Sequence, residues 1–209
     1  MAEARKKQKS VRVTTPIGRL SFPYLFTPTD NFAKTEKEYR ADLIFDDKAD
    51  FTAFNKAVDE VLADAFGADK KKWPMDNVIL PLTDQEVEMD KLVAKSKAVP
   101  EHLVAGNMMI KSKTKAKNGA PFIVDGQRKE IEVQSDVYGG CFGRLSVNLY
   151  VNSIAQTDPR TKKPIAPIHY VTAYLNGFQK TKDGDSFGGG RIKAEDAFDA
   201  IEDDGADLL

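Results

Sequence analysis

Apolar and polar positions alternate with a period of two over most of this chain and follow a helical period over one stretch, which predicts a mainly β protein with one prominent helix. From Ile17, the positions Gly18, Leu20, Phe22 and Tyr24 fall on one side and Ile17, Arg19 and Ser21 on the other, until Pro23 and Pro28 interrupt. This reads as a first strand running into a loop. Tyr39, Ala41, Leu43 and Phe45 alternate as a second strand whose odd positions face a core. The amphipathic helix is expected at about 48–66, where Phe51, Phe54, Val58, Val61, Leu62, Ala65 and Phe66 share a face opposite Lys56, Asp59, Glu60 and Asp64. Asp47 or Asp50 supplies its cap and Gly67 its stop. Over 75–101 the pattern is weak and predicts only a short strand at 78–80.

After Gly106 the strands return. Lys111 and Lys113 alternate with Ile110 and Ser112, and Lys115 and Lys117 lead into Asn118-Gly119, a hairpin signal. Segments 122–125 and 129–133 flank Asp125-Gly126 as a second hairpin, closed by a Tyr138-Gly139-Gly140 corner. In 141–151 the odd positions Leu145, Val147, Leu149 and Val151 are aliphatic, while Phe142, Arg144, Ser146, Asn148 and Tyr150 are aromatic, cationic or hydrogen-bonding. One face belongs to a core and the other to a polar working surface. The last strand, 168–180, is expected to carry Tyr170, Thr172, Tyr174, Asn176, Phe178 and Lys180 on one face, against Val171, Ala173 and Leu175 on the other. Between these strands, 157–167 holds Pro159, Arg160, Lys162, Lys163, Pro164 and Pro167 and reads as an exposed basic loop.

Charge changes the picture. The 209 residues hold 31 Lys and Arg against 32 Asp and Glu, yet the signs are segregated. Residues 195–209 contain seven carboxylates, Glu195, Asp196, Asp199, Glu202, Asp203, Asp204 and Asp207, and no cation. Removing them leaves 25 acids against 31 cations, about +6 for the remainder. So charged a segment is expected to stay a solvated tail beyond a Gly188-Gly189-Gly190 hinge, 188–209, acting as a tethered polyanion mimic. Arg5, Lys6, Lys7, Lys9 and Arg12 mark 1–12 as a flexible basic arm, leaving 13–187 as one domain.

Such a basic body suits nucleic acid, which needs phosphate neutralisation and flat surfaces for bases. Arg144 with Phe142 and Tyr150, beside Lys111 and Lys113, fits that need. The other reading of the same residues, in which Phe142 and Tyr150 cover a second core under the helix, stays open. Trp73 beside Lys70, Lys71 and Lys72 reads as a packing anchor. The chain has no apolar run near the roughly 20 residues that span a bilayer, one cysteine (Cys141), two histidines, no phosphate-binding loop and no H-E-x-x-H pattern. Asp42, Asp46, Asp47 and Asp50 straddle a strand end and a helix cap, where acids are expected without a metal. The reading therefore assigns no metal, no cofactor, no catalytic residue and no membrane contact, and places the chain in a reducing cytoplasm.

Three motifs then form an ordered series: Leu20-Ser21-Phe22-Pro23-Tyr24-Leu25-Phe26; Tyr138-Gly139-Gly140-Cys141-Phe142-Gly143-Arg144 leading into Ser146-Val147-Asn148-Leu149-Tyr150; and Leu175-Asn176-Gly177-Phe178-Gln179-Lys180 with Asp183-Gly184. With the acidic end after Ala194, this series resembles a family of bacteriophage single-stranded DNA-binding proteins first described only as a domain of unknown function. The resemblance implies an OB-fold β-barrel that coats single-stranded DNA without sequence preference or catalysis. Its setting would be phage replication, recombination or repair in the host bacterial cytoplasm. Phosphates would then lie along Arg144, Lys111, Lys113, Lys115 and Lys180, with bases on Phe142, Tyr150, Tyr170 and Tyr174. The tail, with Phe198 among its acids, would compete with DNA and dock phage or host DNA polymerase and other replisome proteins. Two features depart from the family: a longer, Pro-rich 155–167, and a tail ending in Leu208-Leu209 rather than an aromatic residue. An RNA-binding OB-fold protein and a nonenzymatic virion or assembly protein that forms homo-oligomers are the rival readings.

Overall fold

The computed structural model describes residues 9–31 and 33–187. Among these the alternating stretches form nine strands: β1 (Val11–Thr14), β2 (Gly18–Asp30), β3 (Lys37–Ile44), β4 (Val78–Ile79), β5 (Leu82–Asp84), β6 (Met108–Lys115), β7 (Phe122–Val124), β8 (Phe142–Thr157) and β9 (Pro164–Lys182). Two helices join them, α1 (Thr52–Phe66) and α2 (Gln85–Ala94). Strand β2 pairs antiparallel with β3 and with β8, β3 with β6, and β8 with β9. Strand β6 meets β9 in parallel at Lys113 and Tyr174. The pairings β2-β3-β6-β9-β8 thus return to their start, closing a five-stranded ring on the OB-fold plan. Around the ring, β1 extends β8, β5 pairs with β6, and β4 and β7 lie parallel to β9.

The inward positions of this ring are aliphatic. Leu20, Leu43, Ile110, Leu145, Leu149 and Leu175 are all buried in one cluster, which also takes the apolar face of α1 through Phe54, Ala57, Val58, Val61 and Leu62. Each such side chain, fully buried, contributes roughly 1.5–3 kcal/mol. Asp50 Oδ1 accepts a hydrogen bond from Thr52 N at 2.8 Å at the start of α1, and Gly67, at φ +93°, ends it. Trp73 is the expected anchor: it is buried and its Nε1 donates to the Gly67 carbonyl at 2.8 Å. Cys141 is buried, and burial raises its thiol above the ordinary value.

Several expectations need correction. Strand β2 does not stop at its prolines. A bulge between Ser21 and Tyr24, with Phe22 at φ +52°, turns Phe22 out of the core and lets Leu25 take the next buried place. Asn118-Gly119 does not close a hairpin: a single tight turn over 116–118 carries the chain away from β6, and β7 pairs with β9 instead. Helix α2 lies inside the stretch that showed little pattern. Only Met89 and Leu92 of α2 pack on the small cluster of Ile44, Leu103 and Met109, so its sequence carries almost no apolar stripe. Segment 157–167 is no simple loop. Pairs Gln156–Ile165 and Thr157–Pro164 carry the β8–β9 ladder out as an arm, and Asp158 Oδ1 accepts from Arg160 N and Thr161 N at its tip. The sheet begins at Val11, and Lys9 is held on α1 by a 2.6 Å ion pair with Glu60, so the end of the expected arm is docked. The glycine hinge and the acidic tail, 188–209, lie outside the described residues.

Candidate nucleic-acid interface

Because residues paired across strands point to the same side of a sheet, the registers locate the outer wall of the ring. One row crosses it entirely: Arg12 pairs with Asn148, Asn148 with Tyr174, Tyr174 with Lys113, Lys113 with Arg40 and Arg40 with Tyr24. A neighbouring row holds Tyr150 and Thr172, with Lys111 and Asp42 on the adjoining strands, and Asn152 pairs with Tyr170 beyond it. The wall therefore brings Lys111, Lys113, Lys115, Tyr150, Tyr170 and Tyr174 together, as the alternation implied. Helix α1 packs on the opposite, aliphatic side of β8, so Tyr150 does not cover a second core beneath it.

Two expected residues stand elsewhere. The ladder slips at Asn176, so that Val147 faces Leu175 but Ser146 faces Gly177. This slip reverses the sides of β9: Phe178 turns fully into the core, against Gly143, where a Cβ would stand 2.3 Å from its ring. Lys180 is carried off the wall with it. Its Nζ is bound to Asp183 at 2.6 Å and to the Asp136 carbonyl at 2.6 Å, and only 15% of the side chain is exposed. Phe142 sits at the rim of the barrel, where Lys182 Nζ lies 4.3 Å and Arg19 Cζ 5.5 Å from its ring centroid. Arg144 remains on the outer surface, where its Nε donates to Gln179 Oε1 at 2.9 Å.

A cleft of about 550 Å³ runs along the wall, floored by Lys111, Lys113, Tyr170 and Thr172 and flanked by α2 through Glu88 and Lys91. Cations of the cleft floor and of the adjoining end of β6 are partnered. Lys111 pairs with Glu88, Lys113 with Glu38 at 3.0 Å, and Glu36 takes both Lys115 at 2.5 Å and Lys117 at 2.9 Å. Hydrogen bonds from Lys115 and Lys117 hold the Glu36 carboxyl down at about 2.

Arg40 is the residue that periodicity alone did not single out. Its guanidinium grips Asp42 with Nη2 2.5 Å and Nε 3.2 Å from Oδ2, and Asp42 is completely buried. Burial pushes the Asp42 carboxyl up, while Arg40 and Lys111 oppose the shift. The Phe22 ring, turned outward by the bulge, lies 4.9 Å from Arg40 Cζ. A rigid cation flanked by Phe22 and the exposed Tyr24 results. Of the acids at this strand end and helix cap, Asp42 holds Arg40, while Asp46 and Asp50 accept from the backbone at Lys48 and Thr52.

A closed five-stranded barrel with an amphipathic helix on its apolar side and cations and aromatics in register along its outer wall defines an OB-fold binding module. The family model described as the Enterobacter phage Enc34 ssDNA-binding protein matches residues 11–209, and the chain belongs to that family. Among solved structures, the single-stranded DNA-binding protein from bacteriophage Enc34 in complex with ssDNA is similar with a TM-score of 0.54 at 19% identity, over 88% of this chain and 97% of that one. A structure of the same Enc34 protein without a named ligand gives 0.53 at 20% identity, over 94% and 97%. At these identities the likeness establishes a shared fold. No curated protein matches the sequence.

Proposed function

We propose that the chain is a single-stranded DNA-binding protein that coats DNA without sequence preference and without catalysis, in phage replication, recombination or repair within the host cytoplasm. The registered row from Arg12 through Tyr174 and Lys113 to Tyr24 carries this reading, because it sets cations suited to phosphates beside stacking surfaces across the barrel wall. Family membership supports it. Phosphates lie along Lys111, Lys113, Lys115, Arg40 and Arg144, and bases stack on Tyr150, Tyr170 and Tyr174. Phe142 and Lys180 take lesser parts, since one is at the rim and the other is tied to Asp183. Residues 13–187, together with Arg12 on β1, act as the binding domain, and the acidic residues of 195–209 compete for the same wall and, once displaced, dock replisome proteins such as a DNA polymerase.

Fluorescence-anisotropy titration of the full chain with labelled oligo(dT), its duplex and the matching RNA tests the proposal. Tight binding to the DNA single strand, weaker binding to duplex and RNA, and tighter low-salt binding after deletion of 195–209 are expected. Equal affinity for RNA would move the reading to an RNA-binding protein, and no binding at low salt with the tail removed would overturn it.

A further inference from the structure

One exposed aromatic ring on the outer surface has no part in the row described above. Phe122, on β7, lies beside β9 and pairs with Gly177. A Cβ at Gly177 would stand 2.3 Å from Cδ2 of the Phe122 ring, so the glycine is what lets the ring lie against the strand. Although seated on the sheet in this way, Phe122 keeps 52% of its surface exposed. It borders a shallow depression of about 180 Å³ together with Arg128, Arg144, Ser146 and Gln179.

The surroundings are fixed and cationic. Gln179 accepts from Arg144 Nε at 2.9 Å and donates through Nε2 to the Asp125 carbonyl at 2.9 Å, which ties Arg144 to the turn after β7. Within that turn Arg128 has φ +70°, a left-handed conformation that non-glycine residues seldom adopt. The turn is held by Asp125 Oδ1, which accepts from Gln127 N and Lys129 N. Among the described residues no carboxylate pairs with Arg128 or Arg144, in contrast to Lys111, Lys113 and Lys115. On the same ladder only Val147–Leu175 separates the Ser146–Gly177 pair from Asn148–Tyr174, so the depression adjoins the central row.

We propose that Phe122, Arg128 and Arg144 form a nucleotide subsite of the single-stranded DNA path, with a base stacked on Phe122 and its phosphate held between the two guanidiniums. This rests on the single-stranded DNA reading above. An exposed ring held against the sheet offers a π-face to any base, and two guanidiniums suit a phosphate's paired oxygens. The subsite extends the path beyond Tyr174 and lengthens the stretch of DNA each molecule covers.

The test is an oligo(dT) length series titrated against the full chain, its Phe122→Leu, Phe122→Trp and Arg128→Gln variants, with melting followed for each. Phe122→Leu is expected to weaken binding of long oligomers by roughly five- to a hundredfold, leave the shortest bound oligomers unaffected, and be rescued by Phe122→Trp. Arg128→Gln is expected to lower the log-log salt slope by about 0.7. If Phe122→Leu melts early, Arg128→Gln decides, since its exposed side chain belongs to no core cluster. Variants that bind every length like the parent, with the parent's salt slope, overturn the subsite and leave the groove reading intact. A parent chain that binds no oligo(dT) at any length overturns the groove reading itself.

Discussion

Glu38 pairs with Lys113 and would compete with a phosphate for it, so Glu38→Gln is expected to tighten DNA binding. The pair is 3.0 Å long, with the lysine side chain 58% exposed and the glutamate 13%. In water two unit charges at that separation attract by about 1.4 kcal/mol, and entropy and screening reduce measured exposed pairs to about 0.2–1 kcal/mol. A phosphate seated on Lys113 within about 6 Å of Glu38 would also be repelled by about 0.7 kcal/mol in water. Together these make about 0.9–1.7 kcal/mol, or roughly a five- to twentyfold gain in affinity at low salt. Anisotropy titrations of the parent, Glu38→Gln, Lys113→Gln and the double variant measure it. The gain should shrink as salt rises and be smaller when Lys113 is also replaced. A Glu38→Gln variant that melts like the parent yet binds no tighter would refute the placement of Lys113 on the path.

Tyr174→Ala is expected to weaken oligo(dT) binding by about 1–3 kcal/mol in the same titration, while Tyr174→Phe, which keeps the ring, should stay close to the parent. Asp42→Asn leaves Arg40 facing a neutral amide in a buried site, and urea unfolding should show a loss of about 3 kcal/mol, the low end for a broken buried pair because Arg40 is partly exposed. The Glu36 carboxyl, held at about 2 against an ordinary 4.5, gives stability that is complete above about pH 4.5 and lost as pH falls towards 2. Melting curves across that window should show the loss in the parent and a flatter dependence in Glu36→Gln. Gly140→Ala, at φ +113° with a Cβ that would stand 2.0 Å from the Asp185 carbonyl oxygen, should lower the melting temperature by several degrees.

The aliphatic side of β8 was legible because Leu145, Val147, Leu149 and Val151 sit on an uninterrupted period of two, and the helix because Phe54, Val58, Val61 and Leu62 keep a clean stripe. What escaped reading was whatever breaks a period. The slip at Asn176 carries no composition signal beyond Gly177, yet it sends Phe178 inward and removes Lys180 from the wall. The bulge at Phe22 likewise exchanged the roles of Phe22 and Leu25. Arg40 and Arg12 alternate as wall residues should, but only cross-strand registers show that they meet Lys113 and Asn148. Phe122 reads as an ordinary strand residue until Gly177 is seen beneath it. Motif glycines were informative for a steric reason: Gly143 makes room for the Phe178 ring and Gly177 for that of Phe122.

Photocrosslinking of the full chain to bromodeoxyuridine-substituted single-stranded DNA, with the attached residues identified by mass spectrometry, asks directly whether the strand follows the barrel wall. Crosslinks on the wall, at Tyr150, Tyr170, Tyr174 and their neighbours and at Tyr24 or Phe122 where the strand reaches them, are expected. Crosslinks concentrated on the exposed face of α1, around Lys56 and Asp59, with none on the wall, would contradict the placement of the DNA.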